Sequence, residues 1–323
     1  MKKGFKLPLL LTVISLGILQ TACIDTGEKK VMVQAHRGGA ALYPENTIPA
    51  MVHAVKLGAK TLEMDLQVTK DSQVVVSHDF YLNNMKALYP DGTRIPENIE
   101  TSLQIFTMNY DSLCRFDVGS LTNPQYPGRK DLRCAIPTLT DLIDCIETYT
   151  SGSGRHPVHY NIEIKSAVEK DGICTPDYRS FCDLSMQVLL KKKLADRLCI
   201  QSFDTRSLNY LHQKYPHVQL SYLVEEEGSS VDDFLNKLDF VPQVISPASS
   251  IVDEEFVSAA QKRGMKIVPW TVDTKDEVLR LKSLGVDEII TNYPDSVQHW
   301  LTIDYQKAQY IQAVSFFETL MGY

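Results

Sequence analysis

The chain has 323 residues, 44% of them hydrophobic and 23% charged, the balance of an ordinary globular protein and not of a disordered or fibrous one. That length suits one large α/β barrel or two smaller domains. The 33 Lys and Arg against 40 Asp and Glu leave a formal charge of −7, which argues against nucleic acid as a partner, since phosphate backbones are met by basic faces; a small phosphate substrate stays open, because a bound cation can supply local positive charge.

Taken in chain order, Lys2, Lys3 and Lys6 form a basic start. An apolar run from Leu7 to Leu19 follows, too short to span a bilayer comfortably. Thr21 and Ala22 are small and precede Cys23. Residues 1–22 therefore read as a secretory signal peptide, and Thr-Ala-Cys resembles a bacterial lipoprotein processing site. The expected location is the periplasm, or a membrane to which an acylated Cys23 anchors the chain. Gln20 stands where that pattern wants an apolar residue, so simple cleavage near Ala22 is the alternative.

The first strand is Val31 to Ala35. Asn46 or Thr47 can cap a helix through Leu57, ended by Gly58. The second strand is TLEMDLQV at 61–68, with Val74 to Ser77 extending it. Residues 80–135 are rich in Asn, Asp, Pro and Tyr, show no sustained period, and read as a long insertion. Thr138 and Thr140 are cap candidates for a helix to about Tyr149. Strands then alternate with helices: VHYNIEIKS at 158–166, a helix Tyr178 to Leu194, RLCIQSF at 197–203 and a helix Thr205 to Lys214. VQLSYLV at 218–224 precedes a helix of about Val231 to Leu238, and QVISPAS at 243–249 one from Asp253 to Arg263. MKIVPWTV at 265–272 precedes a helix Thr274 to Leu284, and DEIITNYP at 287–294 one from Asp295. Eight strand–helix units predict an α/β fold, a (β/α)8 TIM barrel over 31–302 with the insertion at 80–135. A doubly wound open sheet is the runner-up. Residues 303–323 are a C-terminal extension, expected to be an extra helix. Six cysteines lie beyond Cys23, an even number that fits disulfides in an exported chain. Cys174 with Cys182 and Cys114 with Cys134 are the expected pairs; none has zinc-ligand spacing.

The chemistry sits at strand ends. In TLEMDLQV, period 2 puts Leu62, Met64, Leu66 and Val68 on one face and Glu63, Asp65 and Gln67 on the other. Glu63 and Asp65 project the same way, roughly 7 Å apart at about 3.3 Å per residue. His36 ends the first strand and His78 follows the run VVVS. Two histidines and two carboxylates so placed can hold a divalent metal and move protons. NIEIK repeats the logic, with Asn161, Glu163 and Lys165 on one face, and a polar face inside a barrel is costly unless its groups are paired or bind something.

His36-Arg37-Gly38, then Glu45-Asn46-Thr47, the Glu63-x-Asp65 strand and His78-Asp79, in that order and spacing, resemble the glycerophosphodiester phosphodiesterase family. Gln201-Ser202-Phe203 and Pro269-Trp270-Thr271-Val272 are similar to family motifs too. The resemblance implies a metal site of Glu63, Asp65 and Glu163, catalytic His36 and His78, and substrate contacts from Arg37, Lys165, Asn46, Trp270 and Phe203. Glu45 would bind or position the site. One divalent ion is expected, Ca²⁺ or Mg²⁺, since carboxylates and water suit a hard cation. With no compensating cation in the carboxylate motif itself, the site is expected to be repulsive without metal.

The expected activity is hydrolysis of a small-molecule glycerophosphodiester to sn-glycerol 3-phosphate and an alcohol such as choline or ethanolamine. In the resemblance the glycerol 2-hydroxyl is the nucleophile. One histidine takes a proton and the other gives one, His36 as base and His78 as acid being the favoured assignment. No nucleic-acid partner is expected, and the membrane is met only through a lipid at Cys23. An insertion after the second strand is a feature of exported bacterial family members. Thr291-Asn292 stands where many relatives have Thr-Asp; the expectation is that this departure leaves the histidines and metal ligands untouched. A sphingomyelinase-D-like phospholipid lyase shares the two-histidine, three-carboxylate plan. The insertion and the QSF and PWTV motifs favour the phosphodiesterase. A non-catalytic surface lipoprotein would have no need of paired acid–base groups.

Overall fold

The computed structural model describes residues 29–321. The signal-like N-terminus and Cys23 lie outside the described residues. The chain divides into two compact units, and Val31–Gln298 is the one that carries the sheet and the residues of the cleft.

Its sheet is built in the order of a barrel. The strands are β1 Met32–Ala35, β2 Thr61–Val68, β3 Val74–Val76, β4 His159–Ile164, β5 Leu198–Ser202, β6 Gln219–Val224, β7 Val244–Pro247, β8 Lys266–Ile267 and β9 Glu288–Thr291. Eight of them pair in parallel along β8-β7-β6-β5-β4-β2-β1-β9. The ends of that path meet through backbone bonds, Asp287 N to Ile267 O and Ile290 N to Pro269 O, both 3.0 Å. The predicted (β/α)8 barrel is therefore what forms, and not the open sheet.

β3 departs from the expectation. It does not extend β2; it turns back and pairs antiparallel to it, Leu66 opposite Val76. The intervening Thr69-to-Gln73 turn is closed by Thr69 N to Gln73 O at 3.0 Å. Val76 N then bonds Pro137 O at 3.0 Å and Val75 bridges Thr138, so the stretch from Ser77 to Ile136 leaves and rejoins the barrel at one place. That stretch carries short helical turns and its own apolar cluster, including Leu82, Ala87, Ile95, Ile105 and Leu113. Such a cluster lets a long segment without a repeating period hold one shape.

The helices lie where the apolar periodicity and caps put them. α1 (Ile48–Leu57) is capped by Thr47, whose side chain accepts from Ala50 N, and is stopped by Gly58 at φ 91°. Asn46 does not cap it. α2 (Leu139–Gly152) is capped by Thr138 and not Thr140. α3 (Tyr178–Lys191), α4 (Thr205–Lys214), α5 (Val231–Leu235), α6 (Glu254–Lys262), α7 (Lys275–Leu284) and α8 (Pro294–Met321) follow, with a short helix at Tyr110–Leu113 inside the segment after β3. Met51 on α1 and Leu142 and Ile143 on α2 are fully buried, each worth about 1.5–3 kcal/mol relative to exposure. No helix among the described residues is long and apolar enough to cross a membrane. The six cysteines there, 114, 134, 145, 174, 182 and 199, are all unbonded. The expected Cys174–Cys182 and Cys114–Cys134 pairs are not formed. Cys182 is fully buried on α3, where it packs as a small apolar group.

Candidate active site at the C-terminal ends of the strands

Register brings the carboxylates together. Across β2 and β4, Asp65 pairs with Glu163 and Glu63 with Asn161; across β4 and β5, Glu163 pairs with Gln201. Period-2 alternation turns these side chains into the barrel, where water is scarce and each polar atom needs a partner. Gln201 Nε2 donates to Glu63 Oε1 at 2.9 Å, and Asn161 Nδ2 donates to Gln34 and Gln201 at 2.9 Å each.

The turn after β1 supplies the next layer. Arg37 takes a left-handed conformation, φ 51° and ψ 30°, a cost of about 1–3 kcal/mol for a residue with a side chain. That turn directs Arg37 N onto Glu63 Oε2 at 2.8 Å. Gly38 follows at φ +83°, where a Cβ would meet Ala50 Cβ at 2.9 Å, so α1 packs this close only against glycine. Asn46, also left-handed at φ 58°, gives Nδ2 to Asp65 Oδ2 at 2.8 Å and takes Asp65 N on Oδ1 at 3.2 Å.

One oxygen from each of Glu63, Asp65 and Glu163 lies within 4.8 Å of the others, all three residues being buried. Among the described residues this is the one acidic cluster with the geometry to hold a cation. Burial, and then repulsion from Asp65, push the Glu63 carboxyl well above its usual range. Burial also raises Glu163, against the pull of Lys165. Asp65 is pushed up by burial too, but His78, Arg37 and Lys165 outweigh this and hold it down. Three carboxylates offer the all-oxygen donor set that hard divalent ions take.

The expectation of an uncompensated cluster is corrected. Lys165 Nζ lies 3.0 Å from Glu163 Oε1 and 3.6 Å from Asp65 Oδ1. Arg37 Nε lies 3.4 Å from Asp65 Oδ2. Two cations already stand against three carboxylates. Sequence showed Lys165 two residues after Glu163, and the same alternation that aligns Glu63 with Asp65 aligns this pair.

The two histidines have different partners. His36 Nδ1 lies 2.7 Å from Asn292 Oδ1, and Asn292 Nδ2 donates to Asp273 Oδ2 at 2.7 Å. That second bond fixes the amide's direction, so His36 Nδ1 is the donor and Nε2 carries the lone pair. Burial, and then the Arg37 charge, lower His36 to about 3. The Asn292 departure thus falls on a histidine, contrary to expectation. His78 Nδ1 instead bonds the Asp79 carboxylate at 2.8 Å, leaving Nε2 as its free nitrogen.

His36, Arg37, Glu63, His78, Glu163 and Lys165 line one cleft, with Phe203 and Trp270 in its wall. The two rings meet edge to face, 5.5 Å between centroids. Trp270 is fixed by Nε1 donating to Ser246 O at 2.8 Å, while Phe203 remains 38% exposed. All ten predicted site residues therefore gather at one end of the barrel, where barrel enzymes carry their sites. Asp65 and Asn46 form the layer beneath the cleft surface. Sequence reasoning missed the contact of Asn292 with His36 and Asp273 behind it. Asn292 carried a signal, its place at the end of the last strand.

The family model for the glycerophosphoryl diester phosphodiesterase family matches residues 36–296. The chain belongs to this family. A glycerophosphodiester phosphodiesterase of Caldanaerobacter subterraneus is 29% identical over 83% of this chain and 96% of its own; one of Bacillus subtilis is 28% identical over 89% and 95%. In fold, the chain is similar to a solved structure from Silicibacter pomeroyi, TM-score 0.77 and 25% identity over 86% of this chain and 95% of that one. It is also similar to an Oleispira antarctica phosphodiesterase solved with the product sn-glycerol-3-phosphate, TM-score 0.67 and 24% identity over 84% and 97%. The family match covers the cleft residues from His36 to Trp270 and the Asn292 behind His36.

Proposed function

We propose that the chain hydrolyses glycerophosphodiesters to sn-glycerol 3-phosphate and an alcohol, with a divalent cation, Ca²⁺ or Mg²⁺, held by Glu63, Asp65 and Glu163. One observation carries this reading: two histidines, each held through Nδ1 by a neighbour and with His36 Nε2 4.0 Å from Glu63 Oε2, line the same cleft as a buried three-carboxylate cluster. Such an ion, when bound, would offset the charge that the phosphoryl oxygens gain. Arg37 and Lys165 add fixed positive charge, and the planar guanidinium suits phosphate. His36, neutral and with its lone pair on Nε2, takes the proton from the attacking hydroxyl. His78, acting as the imidazolium that the Asp79 carboxylate pairs with through Nδ1, gives its Nε2 proton to the departing alkoxide and is left neutral. Trp270 and Phe203 form the apolar wall against the substrate's carbon frame.

The nucleophile we favour is the glycerol 2-hydroxyl, already tethered beside phosphorus; expulsion of the alcohol then leaves a cyclic phosphate, which the same histidines open with water in reversed roles. The deciding experiment is an enzyme-coupled assay for glycerol 3-phosphate released from glycerophosphocholine, with and without a chelator. Product formation that stops with chelation and returns with Ca²⁺ or Mg²⁺ is expected. No glycerol 3-phosphate under any divalent metal would sink the reading.

A further inference from the structure

Lys86 belongs to the segment between β3 and α2, outside the barrel, yet its ammonium reaches the catalytic face. Nζ donates to Glu45 Oε1 at 2.9 Å and to Asp79 Oδ2 at 3.1 Å. Asp79 uses its other oxygen for His78 Nδ1, at 2.8 Å. Glu45 in turn is held by Arg37 Nη1, at 3.2 and 3.3 Å. The ammonium therefore sits between two carboxylates that would otherwise repel each other. Without it, Asp79 Oδ2 keeps only Asn83 Nδ2, at 3.3 Å, a long bond from a neutral donor.

The backbone carrying Lys86 is itself fixed. Lys86 N and Ala87 N both bond Asn83 O, at 3.0 and 2.8 Å. Leu82 and Ala87 are buried in the segment's apolar cluster, and Leu88 exchanges backbone bonds with Asp117 at 2.7 and 3.1 Å. A lysine loses much rotamer freedom when it is pinned, and here a folded module fixes the start of its chain while two carboxylates fix the end. A donor held this way can set the direction of Asp79, and Asp79 the direction of the imidazole.

We propose that Lys86 is a positioning residue for the reaction: through Asp79 it holds His78 in line with the leaving oxygen, so that the segment outside the barrel acts on catalysis through one side chain. The inference rests on the reading of His78 as proton donor. It makes a prediction about leaving groups that a merely structural lysine would not. A choline alkoxide needs a proton to leave; a p-nitrophenolate does not.

The test measures kcat and KM of the full chain, Lys86→Met, Lys86→Arg and His78→Ala on glycerophosphocholine and on the p-nitrophenyl ester of glycerol 3-phosphate. For Lys86→Met, kcat on the choline ester is expected to fall about 10²-fold, the scale of a small misplacement of a catalytic group, with little change on the nitrophenyl ester. KM should hold within a few-fold, and Lys86→Arg should recover most of the loss. The ratio of the two kcat values does not depend on the fraction of molecules folded, so poor folding cannot imitate the result. An unchanged ratio in Lys86→Met, while His78→Ala shifts it, overturns the inference and leaves the acid role intact. An unchanged ratio in both variants overturns the acid role and this inference with it.

Discussion

Asn292 Oδ1 lies 2.7 Å from His36 Nδ1, with Asp273 behind it holding the amide the right way round. A neutral amide, and not a carboxylate, thus fixes the tautomer of the half-buried histidine. Asn292→Leu removes the acceptor at nearly constant volume. It should lower kcat by about 10²-fold, as an imidazole loses its direction, while KM changes less. Steady-state kinetics decide this; wild-type kcat in Asn292→Leu would remove Asn292 from the mechanism.

The histidines themselves should matter more. His36→Ala and His78→Ala are each expected to cost roughly 10²- to 10⁴-fold in kcat, the range for a general acid or base. Both side chains line the cleft and not the core, so thermal melts should stay near wild type. A double variant with substantial turnover would contradict both roles.

Removing metal should stop turnover and leave a folded chain, because Lys165 and Arg37 already offset part of the carboxylate charge. Isothermal calorimetry should show Ca²⁺ or Mg²⁺ binding that Glu63→Ala, Asp65→Ala and Glu163→Ala each weaken. Full activity after verified metal removal is the result that rules this out.

Glu45 gives a pH dependence of stability. Burial pushes its carboxyl up, but Arg37 and Lys86 more than reverse this and hold it at about 2, against an ordinary 4.5. A lowered carboxylate contributes stability that is complete above its unfolded value and is lost as pH falls through its folded value. The Tm difference between wild type and Glu45→Gln should therefore be full at neutral pH and close as pH drops from 4.5 towards 2. A difference that stays constant across that window would show that the Arg37–Glu45–Lys86 link contributes nothing to folding.

A tethered hydroxyl has an effective molarity of up to about 10⁵–10⁸ M when well aligned. A 2-deoxy substrate should therefore bind normally and scarcely turn over, and the cyclic glycerol phosphate should itself be hydrolysed. Phosphorus NMR of single turnovers checks both. Equal turnover of the deoxy analogue, with no cyclic species at any time, would indicate direct attack by water.

The barrel and its acidic face were legible because both follow from period and order. Alternation alone put Glu63, Asp65 and Glu163 on inward faces, and parallel register then set Asp65 beside Glu163. The direction of β3 was not legible, because an apolar run of three valines reads the same in either sense. Lys86 carried no sequence signal, since its segment has no repeating period and its partners lie 7 and 41 positions away. Asn292 was visible as a departure but not as a contact, because pairing of β1 with β9 joins residues 256 apart in the chain.

The shared exit and entry point of the segment between β3 and α2, where Val76 meets Pro137 and Val75 meets Thr138, gives the barrel a kind of indifference. A loop whose two stems are already clamped side by side adds only about 0.6 kcal/mol of closure entropy each time its length doubles. Changes of length that spare its other ties to the barrel, Lys70 N to Met108 O and Lys130 N to Leu42 O, both 2.9 Å, would cost the rest of the chain little. Selection on this stretch would then act chiefly through what it presents to the cleft, and the barrel becomes a socket into which different modules can be fitted.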